Sequence, residues 1–99
     1  MALRVKISTR AASHIRRAAE WWQENRLDAP GAIGQDVGEG LALLAEHPGI
    51  GSRYLGARVP DIRRLYLGRT GYFIYYRASS STLDVLALWH ARRGRQPKL

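Results

Sequence analysis

The segment from Ile62 to Arg93 reads IRRLYLGRTGYFIYYRASSSTLDVLALWHARR and decides the fold of this chain. Runs of aromatic and aliphatic residues in it are separated by short runs that contain glycine or serine, which is typical of successive strands joined by tight turns. The pattern predicts strands over residues 62–67, 72–77 and 83–90, with turns at 68–71 and 78–82. The third run is nearly all apolar, as expected for a central strand or one covered on both faces.

The preceding half of the chain begins with a predicted strand and helix. Apolar and polar residues alternate over residues 3–7, as in a half-buried strand. Ser8 or Thr9 can cap a helix that runs to about Leu27. The apolar face of this helix is predicted to contain Ala12, Ile15, Ala19 and Trp22.

A second helix is predicted between the breaks at residues 28–31 and at Pro48-Gly49, ending near His47. Its apolar face repeats at helical spacing through Ile33, Val37, Leu41 and Leu44. Gly34 and Gly38 lie one turn apart, and we expect them to allow close approach of the first helix. Residues 48–61 are rich in glycine and proline and are predicted to form a loop.

These elements predict an α+β fold with the order β-α-α-β-β-β. In it, an N-terminal helical hairpin packs on a mainly antiparallel four-stranded sheet. A length of 99 residues fits a single domain over residues 1–99.

The composition narrows the class of protein. The chain has no cysteine, which excludes disulfides and thiolate metal sites, and no apolar run approaches the roughly 20 residues that span a membrane. Its N-terminal residues lack the apolar core of a signal peptide, so we expect a cytoplasmic protein. The net charge of +8 lies wholly in residues 50–99, which carry ten basic and two acidic side chains. Such a field attracts nucleic acid, the ribosome or an acidic protein.

Several parts of the sequence together resemble the ParE toxins of the ParE/RelE superfamily. They are the hydrophobic-Arg pair at 62–65, the Gly-Tyr…Tyr-Arg strand at 71–77 and the closing strand that ends His-Ala-Arg-Arg at 90–93. The upstream helical hairpin and the break at 48–51 also match, so the resemblance covers nearly the whole chain.

The resemblance implies the toxin of a bacterial type II toxin–antitoxin pair, often serving plasmid stabilisation, without a cofactor. ParE toxins are held to inhibit DNA gyrase and are neutralised by an acidic, ParD-like antitoxin. RelE toxins share the fold and cleave messenger RNA on the ribosome. The charge agrees with either target, and a relative that binds antitoxin without being toxic is a third hypothesis.

The residues that RelE-type cleavage uses are largely replaced. By the resemblance, Arg64 and Arg93 keep a cation, although arginine is a poor proton carrier. The other three positions hold Tyr66, Phe73 and Leu99. A related layout with a glutamate base and a C-terminal histidine would use His90, but only Asp61 offers an acid before the sheet arginines. A binding toxin is therefore favoured, and Arg64, Arg93 and His90 are the residues of the alternative ribonuclease.

The candidate contacts to target or antitoxin are basic or aromatic, and they are Arg63, Arg64, Arg77, His90, Arg92, Arg93, Trp21 and Trp22. The basic tail through Lys98 is a further candidate surface. Arg63 is also a candidate structural residue paired with an acid, with Asp84 the nearest, and His90 is more simply explained by a hydrogen bond to the next loop. Adjacent Trp21 and Trp22 cannot both enter one core, so we expect one to be half exposed. Asp61 and Asp84 make no credible metal site.

Overall fold

The elements follow the order β-α-α-β-β-β-β in the computed structural model, which describes residues 2–99. They are β1 (Arg4–Ile7), α1 (Thr9–Asn25), α2 (Ala32–Glu46), β2 (Ser52–Arg53), β3 (Arg63–Leu67), β4 (Tyr72–Ala78) and β5 (Thr82–His90). The strands form one sheet in the order β1-β5-β4-β3-β2. Strand β1 pairs with β5 in parallel, and the other pairs are antiparallel. The predicted α+β class and helical hairpin are confirmed.

The strand count differs from the prediction, because the sheet has five strands instead of four. The additional strand β2 lies inside residues 48–61, which were predicted to be only a loop. Its two residues pair with Arg64 and Arg63 of β3. A two-residue strand carries no periodic signal, so only its tertiary partner defines it.

Helix α1 begins where the sequence predicts. Ser8 is the N-cap, and its Oγ accepts a hydrogen bond from the Ala11 amide at 3.0 Å. The helix ends at Asn25, two residues before the predicted end. The predicted apolar face is wrong at Ala12, which is exposed, while Ala11 is completely buried. Ile15, Ala19 and Trp22 do pack against the core.

Helix α2 buries Ile33, Val37 and Leu44, as predicted, with Leu41 packed against the same core. The predicted role of Gly34 and Gly38 is wrong, because both positions open to empty space. Gly40 is instead the glycine at which α2 closely approaches the sheet. A Cβ there would lie 2.9 Å from Leu67 Cδ2 of the sheet.

Both faces of the sheet are covered. The larger core lies between the helices and one face, called here the helix face, and it includes Tyr76 and Val85. A smaller core on the opposite, outer face contains Ile62, Tyr75 and Ala87, and the segment around Tyr54 and the C-terminal Leu99 pack against it. Residues 83–90 are therefore covered on both sides, as their apolar composition predicts.

Tyr76 joins the helix face to the segment that follows α2. Its hydroxyl donates to the Pro48 carbonyl at 2.6 Å and accepts from the Gly51 amide at 3.0 Å. Gly51 is required there, because a Cβ would also lie 2.9 Å from the Arg64 carbonyl oxygen. Burial raises the pKa of Tyr76, so the hydroxyl stays protonated and can make both bonds.

A buried carboxylate fixes the turn between β3 and β4 to helix α2. Asp36 is 8% exposed and accepts hydrogen bonds from the Thr70 hydroxyl at 2.7 Å and from the Thr70 amide at 3.1 Å. The two bonds satisfy the charge of Asp36 inside the protein.

We expect Tyr76→Phe to lower the free energy of unfolding by about 1–3 kcal/mol, because the Pro48 carbonyl and the Gly51 amide lose their buried partner. Urea denaturation followed by circular dichroism measures the change. Tyr66→Phe is the matched control, since Tyr66 is 53% exposed, and it should change stability by less than about 0.5 kcal/mol. Equal stabilities of the two variants would contradict the role given to Tyr76.

Candidate functional site

Arg64 lies on the outer face and holds the C-terminal segment against the sheet. Its guanidinium is centred 4.2 Å from the Phe73 ring, and it donates to Tyr75 Oη at 3.1 Å and to Gln96 Oε1 at 3.3 Å. Tyr75 also donates to Gln96 Oε1 at 2.8 Å. Arg64 is held by three of these contacts and has a structural role, which argues against the predicted contact to the target.

Arg63 points to the opposite side and holds the segment after α2. It donates to the Gly51 carbonyl at 2.7 Å and to the Gly49 carbonyl at 3.3 Å. The predicted acidic partner of Arg63 is therefore wrong, because its guanidinium bonds to backbone carbonyl oxygens instead. Asp84 lies opposite Arg77 in the sheet register instead.

Helix α1 and the end of β5 enclose a cationic cleft of about 710 Å³. It is lined by three arginines (Arg10, Arg17 and Arg93), two histidines (His14 and His90) and several aromatic rings. On α1, the residues Arg10, His14 and Arg17 are spaced by four and three positions, which places them on one face of the helix. The cleft thus brings together residues 10–17 and residues 88–93, which are remote in sequence.

His14 connects α1 to the part of β5 whose edge is not paired with β1. Strand β1 pairs with β5 only as far as Val85, and beyond it His14 Nδ1 accepts a hydrogen bond from the Leu88 amide at 3.3 Å. The imidazole also meets the Trp89 ring edge-on, with centroids 5.6 Å apart. Burial, then the charges of Arg10, Arg93 and Arg17, lower the pKa of His14. Sequence reasoning missed His14; the only signal was its spacing from Arg10 and Arg17.

His90 closes the turn between β3 and β4. Its Nδ1 accepts from the Arg92 amide at 3.1 Å, and its ring meets Tyr72 edge-on at 4.9 Å. Gly71 has a φ of +83°, and a Cβ there would lie 3.2 Å from His90 Nε2. The imidazole is therefore hydrogen-bonded to the next loop and packed against the turn, as the structural interpretation of His90 expects.

The adjacent tryptophans divide as predicted, with Trp21 48% exposed and Trp22 packed against the core. The Arg26 guanidinium lies 5.5 Å from the centroid of Trp21 and 5.6 Å from that of Trp22. Trp21 also lines the cationic cleft.

A second groove, of about 620 Å³, lies beside β1 and β5 and is called here the apolar groove. Its apolar lining includes Ile7, Val59, Leu86 and Leu99. Its charged lining consists of one acid and four cations, which are Asp84, Lys6, Arg10, Arg77 and Lys98. Ile7 is 45% exposed and Val59 40% exposed, so apolar surface is open to solvent here.

The residues of the alternative ribonuclease are engaged in contacts within the fold, and the rings on which Arg64 and Arg93 lie, Phe73 and Trp89, are cross-strand partners. His90 and Arg93 line the cationic cleft, whereas Arg64 is engaged with Phe73, Tyr75 and Gln96 on the outer face. Among residues 2–99, no group of three His, Asp or Glu side chains could hold a metal ion. In the same range, no helix is long and apolar enough to cross a membrane.

A family model described as the ParE toxin of the type II toxin–antitoxin system, parDE, matches residues 5–95. The chain belongs to the ParE toxin family. Among solved structures, a chain of the chromosomal ParDE TA system from P. aeruginosa has a TM-score of 0.72, with 20% sequence identity. The match covers 90% of this chain and 96% of that chain, and at this identity it shows the shared fold. No curated protein sequence matches the chain.

The pKa of His14 predicts a pH-dependent stability of this ParE-family fold. The folded state holds His14 neutral, while the unfolded state takes up a proton near the ordinary pKa of 6.5. Below about pH 6.5 the unfolded state binds more protons, so the free energy of unfolding should fall as the pH falls from 6.5 to the lowered pKa of the folded state. Urea titrations at several pH values measure this slope.

His14→Gln keeps an acceptor for the Leu88 amide but cannot titrate, so it should flatten the slope in that window. His47→Gln removes an exposed histidine and should leave the slope as in the parent chain. A slope that survives His14→Gln would assign the pH dependence to another group.

Proposed function

We propose that this chain is a toxin that inhibits DNA gyrase and is neutralised by an acidic, ParD-like antitoxin. The observation that carries the proposal is the match of the ParE family over residues 5–95. Gyrase is the target that the resemblance implies. The geometry supports a toxin that works by binding, since Arg64 and His90 are engaged in hydrogen bonds within the fold.

The positions replaced relative to RelE have packing or surface roles in this chain. Phe73 lies under the Arg64 guanidinium, Leu99 packs on the outer-face core, and Tyr66 is exposed at the sheet surface. His90 Nδ1 is occupied by the Arg92 amide. Proton transfer to and from an RNA hydroxyl needs an acid and a base around one phosphate, and these side chains do not supply that arrangement.

Uncompensated positive charge supports an acidic antitoxin as partner. Among residues 2–99 the one salt bridge joins Arg69 to Glu39, at 3.7 Å, although the chain carries 16 lysines and arginines. The lining of the apolar groove combines exposed Ile7 and Val59 with more cations, Lys6 and Arg77 among them, than acids. An amphipathic acidic segment could bury its apolar side chains there and pair its carboxylates with these cations, so we place the antitoxin contact in this groove.

Of the predicted contact residues, Arg77 and Arg92 are the best candidates for the target. Both are exposed, whereas Arg63 and Arg64 hold parts of the fold. Substitution of an exposed arginine tests binding without removing a structural contact. Arg63 or Arg64 variants would mix loss of binding with loss of folding.

A supercoiling assay with purified toxin and gyrase tests this function. The parent chain should inhibit supercoiling, and the double variant Arg77→Ala/Arg92→Ala should need at least about fivefold more toxin for half inhibition, since arginines central to an interface cost more than ~1 kcal/mol when truncated. Arg53→Ala/Arg58→Ala removes the same charge from other exposed positions and should behave as the parent does.

Normal supercoiling at saturating toxin would reject gyrase as the target. Sequencing of RNA ends after induction provides the complementary measurement, and no codon-phased cuts are expected. Phased cuts would instead assign the chain to the messenger RNA endonucleases.

A further inference from the structure

The cationic cleft has a lining that selects for anions. Three arginines and two histidines face it, and no aspartate or glutamate is among its lining residues within the described range 2–99. Its volume of about 710 Å³ lies in the range of sites that hold a nucleotide-sized group. Concave surfaces lined by one sign of charge focus the field and concentrate counter-ions.

The cleft arginines are not needed to neutralise acids of the chain itself. Arg10 donates to the Lys98 carbonyl, and the Arg93 guanidinium lies 3.7 Å from the centroid of the Trp89 ring. The one ion pair in residues 2–99 involves Arg69, outside the cleft. The charges of the cleft arginines act on one another and on His14, whose pKa they help to lower. Such an arrangement opposes folding through like-charge repulsion, which an anionic ligand would relieve.

Aromatic rings make the ligand more specific than a simple anion. Trp21 is 48% exposed, and Tyr72 and Trp89 also line the cleft. The faces of bases stack on such rings without regard to sequence, while the planar guanidinium of arginine matches phosphate geometry. A groove that combines arginines with open aromatic rings is typical of proteins that bind single-stranded nucleic acid.

An acidic peptide is the other polyanion that the cationic cleft could bind. The linings of the two grooves distinguish between a peptide and a nucleic acid. The apolar groove offers the exposed aliphatic wall that an amphipathic peptide needs, with Ile7 and Val59 open to solvent. The only aliphatic side chains that line the cationic cleft are Ala18 and Leu88, both nearly buried, and its other lining residues in the described range are charged or aromatic. The chemistry of the cleft favours phosphate and base over carboxylate and aliphatic side chain.

We propose that the cationic cleft binds single-stranded nucleic acid directly, with Arg10, Arg17 and Arg93 contacting phosphates and Trp21 stacking on a base. This binding goes beyond gyrase inhibition, because it requires no other protein.

Fluorescence anisotropy of a labelled short DNA strand, titrated with the full chain at several salt concentrations, tests the proposal. Affinity should fall with salt, and Arg17→Ala should reduce the slope of log K against log salt by about 0.7, the value for one phosphate contact on a single strand. Trp21→Ala should weaken binding at least about fivefold with an unchanged slope, since it removes stacking and no charge.

Arg53→Ala is the matched control, because it removes the same charge from β2, at the opposite edge of the sheet from β1 and β5. It should leave the slope and the affinity nearly unchanged. Equal losses for Arg17→Ala and Arg53→Ala would assign binding to net charge and overturn the cleft as a site. Absence of DNA binding, or binding of a glutamate-rich peptide in its place, would overturn the proposal as well.

The outcome is separable from that of the gyrase assay. A chain that inhibits gyrase but does not bind DNA overturns this inference alone. Binding that depends on Arg17 and Trp21 supports the inference even if supercoiling is unaffected.

Discussion

Two adjacent tyrosines of β4, Tyr75 and Tyr76, anchor the segments that cover the two faces of the sheet. Side chains of a strand alternate between faces, so Tyr75 and Tyr76 enter different cores, and both are completely buried. A buried hydroxyl must find a partner, and each finds it on a different irregular segment. Tyr76 bonds to Pro48 and Gly51 after α2, while Tyr75 bonds to Gln96 near the C-terminus. The central strand therefore positions the segments that cover the sheet on both sides.

The same alternation divides the basic residues into two groups. Arg63 and Arg64 are neighbours on β3, and each supports the segment that the tyrosine on its own face anchors. Their guanidinium groups donate hydrogen bonds to carbonyl, hydroxyl and amide oxygens within the fold. Arg77, Arg92 and Arg93 are exposed, so they remain available to partners. The arginines of the family pattern therefore divide into structural residues and exposed residues, and not all of them are candidate contacts.

Much of the fold follows from local sequence. The strands of residues 62–90 and the Ser8 cap are predictable because alternation, turn residues and capping act over a few positions. Strand β2, the close approach at Gly40 and the burial of Ala11 in place of Ala12 depend on which elements meet, and sequence spacing does not contain that information. Part of the candidate site was foreseeable: Arg93, His90 and Trp21 of the cationic cleft were named from the sequence. His14 was not, since its significance comes from Leu88, 74 positions away.

The contact of His14 with Leu88 links the cleft to the stability of the fold. Burial, and after it the nearby arginines, lower the pKa of His14 and favour the neutral imidazole, whose Nδ1 can accept from the Leu88 amide. An anion held by those arginines would offset their field, so its binding would raise the pKa of His14. By linkage, protonation of His14 would then strengthen anion binding to the same extent. A phosphate ligand and a proton are therefore expected to bind this cleft cooperatively, with the helix–strand contact at His14 as the element on which both act.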